Sequence, residues 1–251
     1  MSDHGTFDGP MPSRYELTGE TLAIECGVIV HRIRAIVDIP LHGVTAGDEG
    51  GYVESIMLKD GSARVSGSAW VSGSAWVSGS AWVSGSAWVS GSARVSGSAR
   101  VSGSAWVSGS AWVSGSAWVF GSARVSDSAW VFGSARVSDS ARVFGSARVS
   151  GSARVSDSAR VEKPWHLLLV GPIGSEEVTA TLSRTKGDKH ILNVGCWTGT
   201  LGTLSAEVKR RRLLWTADDA TQAVWTAQYK ALNRLGKATV ARWESDGEVF
   251  S

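Results

Sequence analysis

Side chains able to stack and to hold anions recur every six positions through the middle of the chain. From Arg64 to Arg160, each sixth residue is either Trp or Arg. An indole ring offers a large apolar surface, and a guanidinium neutralises anions and stacks on aromatic rings. The chain contains 13 Trp, and eight of them occupy these positions. This series is therefore the first candidate for a contact surface.

Residues suited to acid–base or metal chemistry lie outside the series. The five histidines are His4, His31, His42, His166 and His190. His166 follows the last repeat, but its apolar neighbours in 165–170 favour a structural role over that of a general base. No Cys/His spacing indicates a zinc site. Cys196 is expected to be a small buried residue, with a reactive thiol as the alternative. We predict no catalytic residue, no metal site and no cofactor.

The bulk properties are those of a soluble intracellular protein. A net charge of +2 does not indicate a general polyanion binder. No apolar run approaches the roughly 20 residues of a membrane helix. Residues 1–15 contain no apolar core of a signal peptide. We therefore expect a cytoplasmic location and no membrane contact.

The six-residue spacing belongs to a repeat that occurs seventeen times between residues 61 and 162. Each copy contains Ala, then Trp or Arg, then Val, followed mostly by Ser-Gly-Ser. The first three residues predict a short strand with Ala and Val directed inward and Trp or Arg outward. The small residues predict a corner, where Gly adopts positive φ without steric cost. Three strands and three corners close a triangular coil of 18 residues, so we predict a parallel β-helix of nearly six coils, about 27 Å long.

An aliphatic residue followed four positions later by a small one, as in Val65 and Ala69, resembles the hexapeptide-repeat proteins. That resemblance implies a left-handed parallel β-helix. Residues 46–55 before the repeat, and 171–175 and 195–200 after it, resemble phage- and prophage-encoded proteins of this type, which are often labelled acyltransferases. The resemblance places the protein in a bacterial host cell.

Enzymes of the hexapeptide-repeat class bind acyl-CoA between neighbouring subunits, use a His as general base and commonly form trimers. The resemblance therefore implies an acyl-CoA-dependent acyltransferase and makes a trimer plausible. However, the repeat of this chain contains no His, and no loop interrupts it. We expect a non-enzymatic structural or binding protein, with the acyltransferase kept as the alternative.

The 18-residue coil sorts the outward residues into three columns, one on each face of the prism. The first face carries Trp70, Trp88, Trp106, Arg124, Arg142 and Arg160. The second face carries Arg64, Trp82, Arg100, Trp118, Arg136 and Arg154. The third face carries Trp76, Arg94, Trp112, Trp130 and Arg148. Because coils lie about 4.8 Å apart, we expect these side chains to stack into ladders.

These ladders allow several functions. Exposed Trp favours association with an identical subunit or a host protein, and Arg interleaved with aromatic rings favours single-stranded nucleic acid along the Arg-rich C-terminal half. A ladder that only covers the strands is the third interpretation. The Trp codon TGG and the Arg codon CGG differ by one base, so drift after recent duplication also explains the mixed order of the two residues.

The flanking segments divide the chain further. Residues 1–14 are expected to be a flexible leader, residues 15–60 an N-terminal β cap over the open first coil, and residues 163–251 a C-terminal α+β module with a tail. The cap is predicted to contain two or three strands within 22–37, broken at Gly27, and a turn at 47–51.

Within the C-terminal module, strands are predicted at 165–170, 177–183 and 190–194, with a turn at 171–174. A short helix is expected at 205–213. A capping box formed by Thr216 and Asp219 predicts the start of a second helix, and Gly236 predicts its end.

Overall fold

The computed structural model describes residues 15–23, 29–38, 45–53, 58–59, 63–186 and 189–248. Its main body is a β-solenoid of about six coils, built from three parallel sheets that run along the repeat. The fold class predicted from the repeat is confirmed. The left-handed sense of the coil stays a prediction from the resemblance.

Each hexapeptide contributes one short strand, and successive strands belong to different sheets. The first sheet contains, after three N-terminal strands, β6 (Trp70–Val71), β9 (Trp88–Val89), β12 (Trp106–Val107), β15 (Arg124–Val125), β18 (Arg142–Val143) and β21 (Arg160–Val161). The second contains β5 (Arg64–Val65), β8 (Trp82–Val83), β11 (Arg100–Val101), β14 (Trp118–Val119), β17 (Arg136–Val137) and β20 (Arg154–Val155). The third contains β4 (Leu58–Lys59), β7 (Trp76–Ser78), β10 (Arg94–Val95), β13 (Trp112–Val113), β16 (Trp130–Val131) and β19 (Arg148–Val149).

The interior of the solenoid consists of stacked Ala and Val. From Ala69 to Val161, every Ala and Val at the two inward repeat positions is at most 1% exposed. Parallel pairing places Val directly over Val in consecutive coils, as for Val71 and Val89. The predicted inward and outward assignment is therefore confirmed. The strands are shorter than predicted, because the Ala lies just before the paired residues rather than within them.

The corners depend on a residue with positive φ. Gly97 adopts φ +67°, and a Cβ on it would lie 3.0 Å from the carbonyl oxygen of Gly115 in the next coil. Three corners carry Asp in the same left-handed conformation, which Asp tolerates better than most residues. In one of them, the carboxylate of Asp127 accepts a hydrogen bond from the N–H of Gly145 at 3.0 Å.

The N-terminal strands extend the first sheet beyond the first coil. They are β1 (Tyr15–Ala23), β2 (Ile29–Ala35) and β3 (Glu49–Val53), and β3 pairs with β6. Ile33 is fully buried in the solenoid core, and the Tyr15 hydroxyl donates to the carbonyl of Ala63 at 2.9 Å. These contacts cover the open end of the core on this side. The predicted break at Gly27 lies outside the described residues.

The turn predicted at 47–51 is wrong in its second half, because Gly50 and Gly51 belong to β3. A Cβ on Gly50 would lie 2.6 Å from the carbonyl oxygen of Val65, and one on Gly51 the same distance from that of Ala69. These glycines thus permit close packing of β3 on the first coil.

The C-terminal module begins with an antiparallel sheet of β22 (Leu167–Ile173), β23 (Val178–Arg184), β24 (His190–Val194) and β25 (Trp197–Gly199). The strand predicted to begin at residue 165 begins at Leu167, because Pro164–His166 forms a 3-10 turn. The turn predicted at 171–174 is also displaced, because β22 continues to Ile173. Strands 177–183 and 190–194 are confirmed to within one residue.

One face of this sheet covers the last coil of the solenoid. Leu167, Leu169 and Ile191 pack against the solenoid core. Thr181 accepts a hydrogen bond from the N–H of Arg154 at 3.0 Å, and the Asn193 amide donates to the carbonyl of Arg154 at 3.2 Å. Side chains therefore satisfy backbone groups that another coil would otherwise pair.

The opposite face of the sheet packs on α1 (Leu201–Arg212) and α2 (Asp219–Glu248). The second helix differs most from the prediction. Its N-terminal cap is Asp218, whose carboxylate accepts from the N–H of Thr221 at 2.9 Å, and it passes through Gly236 without ending. A Cβ on Gly236 would lie 2.6 Å from Leu201, so this glycine allows α2 to approach α1 closely.

No helix in the described part of the chain is both long and apolar enough to cross a membrane.

Candidate functional site

The three outward columns predicted from the repeat are present, because strands of consecutive coils pair in register on each face. Trp70 pairs with Trp88 on the first face, Arg100 with Trp118 on the second, and Arg94 with Trp112 on the third. The outward side chains are half-buried or exposed, whereas the Val beside each of them is buried. All fourteen candidate residues thus lie on the prism surface, divided among three separate faces.

On the first face, the aromatic and cationic residues are separated into two blocks. The rings of Trp70 and Trp88 lie 5.2 Å apart, and those of Trp88 and Trp106 lie 4.9 Å apart, edge to face in both cases. Arg124 stacks on Trp106 at 5.0 Å. Arg142 follows with no aromatic ring and no carboxylate in contact among the described residues. This face consists of three Trp followed by three Arg.

On the second and third faces, Trp and Arg largely alternate and stack within the chain. Arg64 and Arg100 lie on either side of Trp82, at 5.3 and 5.9 Å from its ring. Arg94 is similarly placed between Trp76 and Trp112, at 5.8 and 5.9 Å. Trp–Arg contacts of this kind are each worth about 0.5–1 kcal/mol at exposed sites. Most cations of these two faces therefore already have an aromatic partner.

Serine hydroxyls also fix the indoles of the second and third faces. The indole N–H groups of Trp82, Trp112 and Trp118 donate to a Ser in the preceding coil at 3.1–3.2 Å. Among the described residues, the indoles of the first face make no such bond. Its Trp block is held by ring stacking instead.

The three Phe of the repeat stand at corners rather than on the faces. Phe144 lies under the guanidinium of Arg160 at 5.4 Å, and Phe120 contacts the ring of Trp118 at 4.8 Å. The C-terminal half of the prism therefore combines Arg and aromatic rings.

The two histidines of the C-terminal module have structural contacts. His166 is buried, and its Nδ1 accepts from the N–H of Glu162 at 3.4 Å. Nε2 of His190 accepts from the N–H of Leu201 at 3.0 Å, where α1 begins, and burial lowers the pKa of His190. This contact requires neutral His190, which the positive end of the helix dipole also favours. The acyltransferase activity implied by the resemblance stays a prediction.

Cys196 is exposed, so its predicted burial is wrong. The residue lies in the tight turn between β24 and β25, after Gly195 with φ +62°. A two-residue hairpin turn directs its side chains away from the sheet core.

A buried charged cluster connects α1 to the sheet, and nothing in the sequence pattern indicated it. Glu207 accepts hydrogen bonds from Arg210 and Arg211, which lowers its pKa from 4.5 to about 2. Arg211 also donates to the carbonyl of Val194 at 3.0 Å. The basic run 209–212 is thus partly internal, and the cluster positions α1 on the sheet.

A cleft of about 460 Å³ lies between α1 and α2. Its floor includes Leu204 and Tyr229, and its rim includes Lys209, Lys230 and Lys237.

Within the described residues, no group of three or more His, Cys, Asp or Glu side chains could hold a metal ion.

Comparison with family models supports the architecture. Residues 93–109 match the YdcK beta solenoid repeat. This segment is slightly shorter than one coil and includes parts of all three faces, from β10 to β12. Comparison with curated proteins found no match. The fold and the match together define a tandem-repeat β-solenoid protein.

Proposed function

We propose that this chain is a non-enzymatic structural and binding protein of phage or prophage type, which self-associates through its outward ladders. The observation that carries this proposal is the continuous Trp70–Trp88–Trp106 strip on the first face. Trp106 remains 41% exposed, although its neighbours in the ladder contact it from both sides. A strip of aligned aromatic rings that is half-buried at Trp70 and Trp88 and exposed at Trp106 is suited to a contact surface.

The rigidity of the solenoid supports this function. The Trp block is attached to strands whose inward residues are fully buried, so its geometry is fixed before any partner binds. Preorganisation reduces the entropy that association would cost. In this proposal the solenoid is a rigid support, and the outward residues form the interface.

Sedimentation velocity of the full chain tests the proposal. We expect the wild type to form a larger species at tens of micromolar, and a variant with Trp70, Trp88 and Trp106 changed to Ser to remain monomeric. A matched control changes Trp82, Trp112 and Trp118 to Ser on the other two faces and retains self-association. Monomeric wild type at every concentration would refute the self-association.

Binding of single-stranded nucleic acid is a second candidate, favoured by the Arg-rich half. No ion pair within the described residues involves the arginines Arg124, Arg136, Arg142, Arg148, Arg154 and Arg160. Four of them also stack on aromatic rings and so form ring–cation platforms along this half of the prism: Arg124, Arg136, Arg148 and Arg160. We expect a labelled oligothymidine to bind with an affinity that falls steeply between 50 and 200 mM salt, as counterion release requires (about a tenfold loss or more). Salt-independent binding, or none, would contradict this candidate.

A further inference from the structure

The order of residues on the first face is self-complementary under a two-fold rotation. Three Trp occupy one half of the column and three Arg the other, with the boundary between β12 and β15. A two-fold axis that lies in the plane of the interface, perpendicular to the prism axis at this boundary, would place each Trp opposite an Arg of a second copy. Trp70 would face Arg160 of the partner subunit, Trp88 would face Arg142 of the partner subunit, and Trp106 would face Arg124 of the partner subunit.

We propose that two copies of this chain associate antiparallel through their first faces, with Trp stacked on Arg across the interface. The inference rests on the self-association proposed above and specifies its surface and symmetry. An isologous two-fold contact uses the same patch twice, so one column supplies both halves of the interface. Six Trp–Arg contacts form, three from each direction.

The parallel arrangement is disfavoured by charge. It would bring the Arg block of one copy against the Arg block of the other, with like charges directly opposed in a partly desolvated contact. Arg142 has no aromatic or acidic partner within the described residues of its own chain. In the antiparallel arrangement it gains an indole ring.

The other two faces are less suited to this contact. On the second face the same rotation would oppose Arg64 to Arg154 of the partner subunit. The third face would also bring Trp opposite Arg under such a rotation. However, Arg94 already contacts Trp76 and Trp112, and Arg148 already stacks on Trp130 at 5.2 Å. On the first face, Arg124 stacks on Trp106 and Arg160 stacks on Phe144. Among the described residues, Trp70, Trp88 and Arg142 have no Trp–Arg contact within the chain, so these three are available to a second copy.

The size of the face predicts a weak dimer. Six strands at about 4.8 Å and a strand-plus-corner width of about 16 Å give roughly 450 Å² per copy. The total of about 900 Å² falls at the small end of specific interfaces, where transient complexes occur. We therefore expect dissociation in the micromolar range.

An exchange of two residues tests the pairing. Trp88→Arg alone opposes two Arg at the 88–142 level and should weaken the dimer at least tenfold. Adding Arg142→Trp restores Trp–Arg pairing at that level and should recover wild-type association. The composition-matched control combines Trp88→Arg with Arg124→Trp, which leaves the Arg–Arg pairs in place. All three substitutions put residues that the repeat already uses at solvent-facing positions, and circular dichroism verifies the fold.

Sedimentation equilibrium of these four proteins separates the outcomes. Recovery with Arg142→Trp but not with Arg124→Trp supports the antiparallel pairing. Equal association of the two double variants overturns it while leaving the proposed self-association intact. A wild type that never associates overturns both.

Spin labels test the orientation independently. Ser68 and Ser158 are exposed corner residues just before the first and last strands of the face. With Cys26 and Cys196 changed to Ser, labels at Ser68→Cys in one copy and Ser158→Cys in the other should lie at the same level. Two Ser68→Cys labels should be separated by at least five strand spacings, about 24 Å. The reverse distances would show a parallel dimer and refute the inference.

Discussion

Gly236 shows how a single residue can fit helix packing while contradicting a helix-stop signal. In the sequence, Gly after an amphipathic stretch is a good end signal. In the structure it is buried within α2 because α1 leaves no room for a methyl group there. The information that decides its role is therefore the position of Leu201, which no local pattern contains.

We predict that Gly236→Ala destabilises the protein by about 1–3 kcal/mol, because a Cβ 2.6 Å from Leu201 Cδ2 must displace this buried side chain from the packed core. Gly202→Ala is the control, since the nearest atom to its Cβ is 3.6 Å away. That change should stabilise α1 by about 0.5–1 kcal/mol. Urea denaturation measures both, and equal effects of the two variants would contradict the packing role.

Glu207 should make the C-terminal module sensitive to acid. Its hydrogen bonds with Arg210 and Arg211 hold its pKa at about 2, below the ordinary 4.5. A depressed carboxyl pKa contributes stability that is fully present above pH 4.5 and is lost as the pH falls towards 2. We expect Glu207→Gln to cost on the order of 1–3 kcal/mol at pH 7 and the difference from wild type to shrink below about pH 4.5. A difference independent of pH would show that the contribution is not ionic.

Among the secondary-structure elements, the features set by the repeat period could be predicted from the sequence. Inward Ala and Val, outward Trp and Arg, and the three columns follow from a period of six and a coil of 18. The sequence could not predict that Ser hydroxyls bind the indoles of Trp82 and Trp118, since this depends on side-chain rotamers between coils. It also missed that Thr181 and Asn193 close the last coil, because strand patterns do not identify the backbone groups that a polar side chain will reach.

The corner glycines meet two requirements, a positive φ and a close approach to the next coil. A pair of substitutions can separate their contributions to stability. Gly97 and Gly151 both have positive φ, but a methyl group added at Gly97 would contact the next coil, whereas one added at Gly151 would meet nothing within 4 Å. Gly151→Ala should cost about 1–2 kcal/mol for the left-handed conformation alone. Gly97→Ala should cost at least about 1 kcal/mol more, because the coils must also separate. Thermal unfolding of both variants checks this, and equal midpoints would mean that the coils accommodate a methyl group freely.

For the whole molecule, the arrangement predicts stability that depends on coil number. Each coil pairs only with the coils above and below it, while the two ends are covered by β1–β3 and by the C-terminal sheet. Such arrays gain stability almost in proportion to the number of repeats. The ends should therefore tolerate the loss of an internal coil, because their own contacts are made only with the first and last coils.

Removing residues 79–96 deletes one coil of 18 residues and joins two identical corners. We expect the shortened chain to unfold in one cooperative transition at a lower midpoint, with a urea m-value reduced in proportion to the lost surface. Removing residues 79–97 takes away only one residue more, but that residue is the positive-φ glycine of the corner, and the next Ala and Val no longer reach the core in register. The second deletion should therefore be destabilised far beyond the loss of one residue. If both shortened chains unfolded at the same midpoint, the corner would not set the register, and the stacked Val column alone would determine how the coils align.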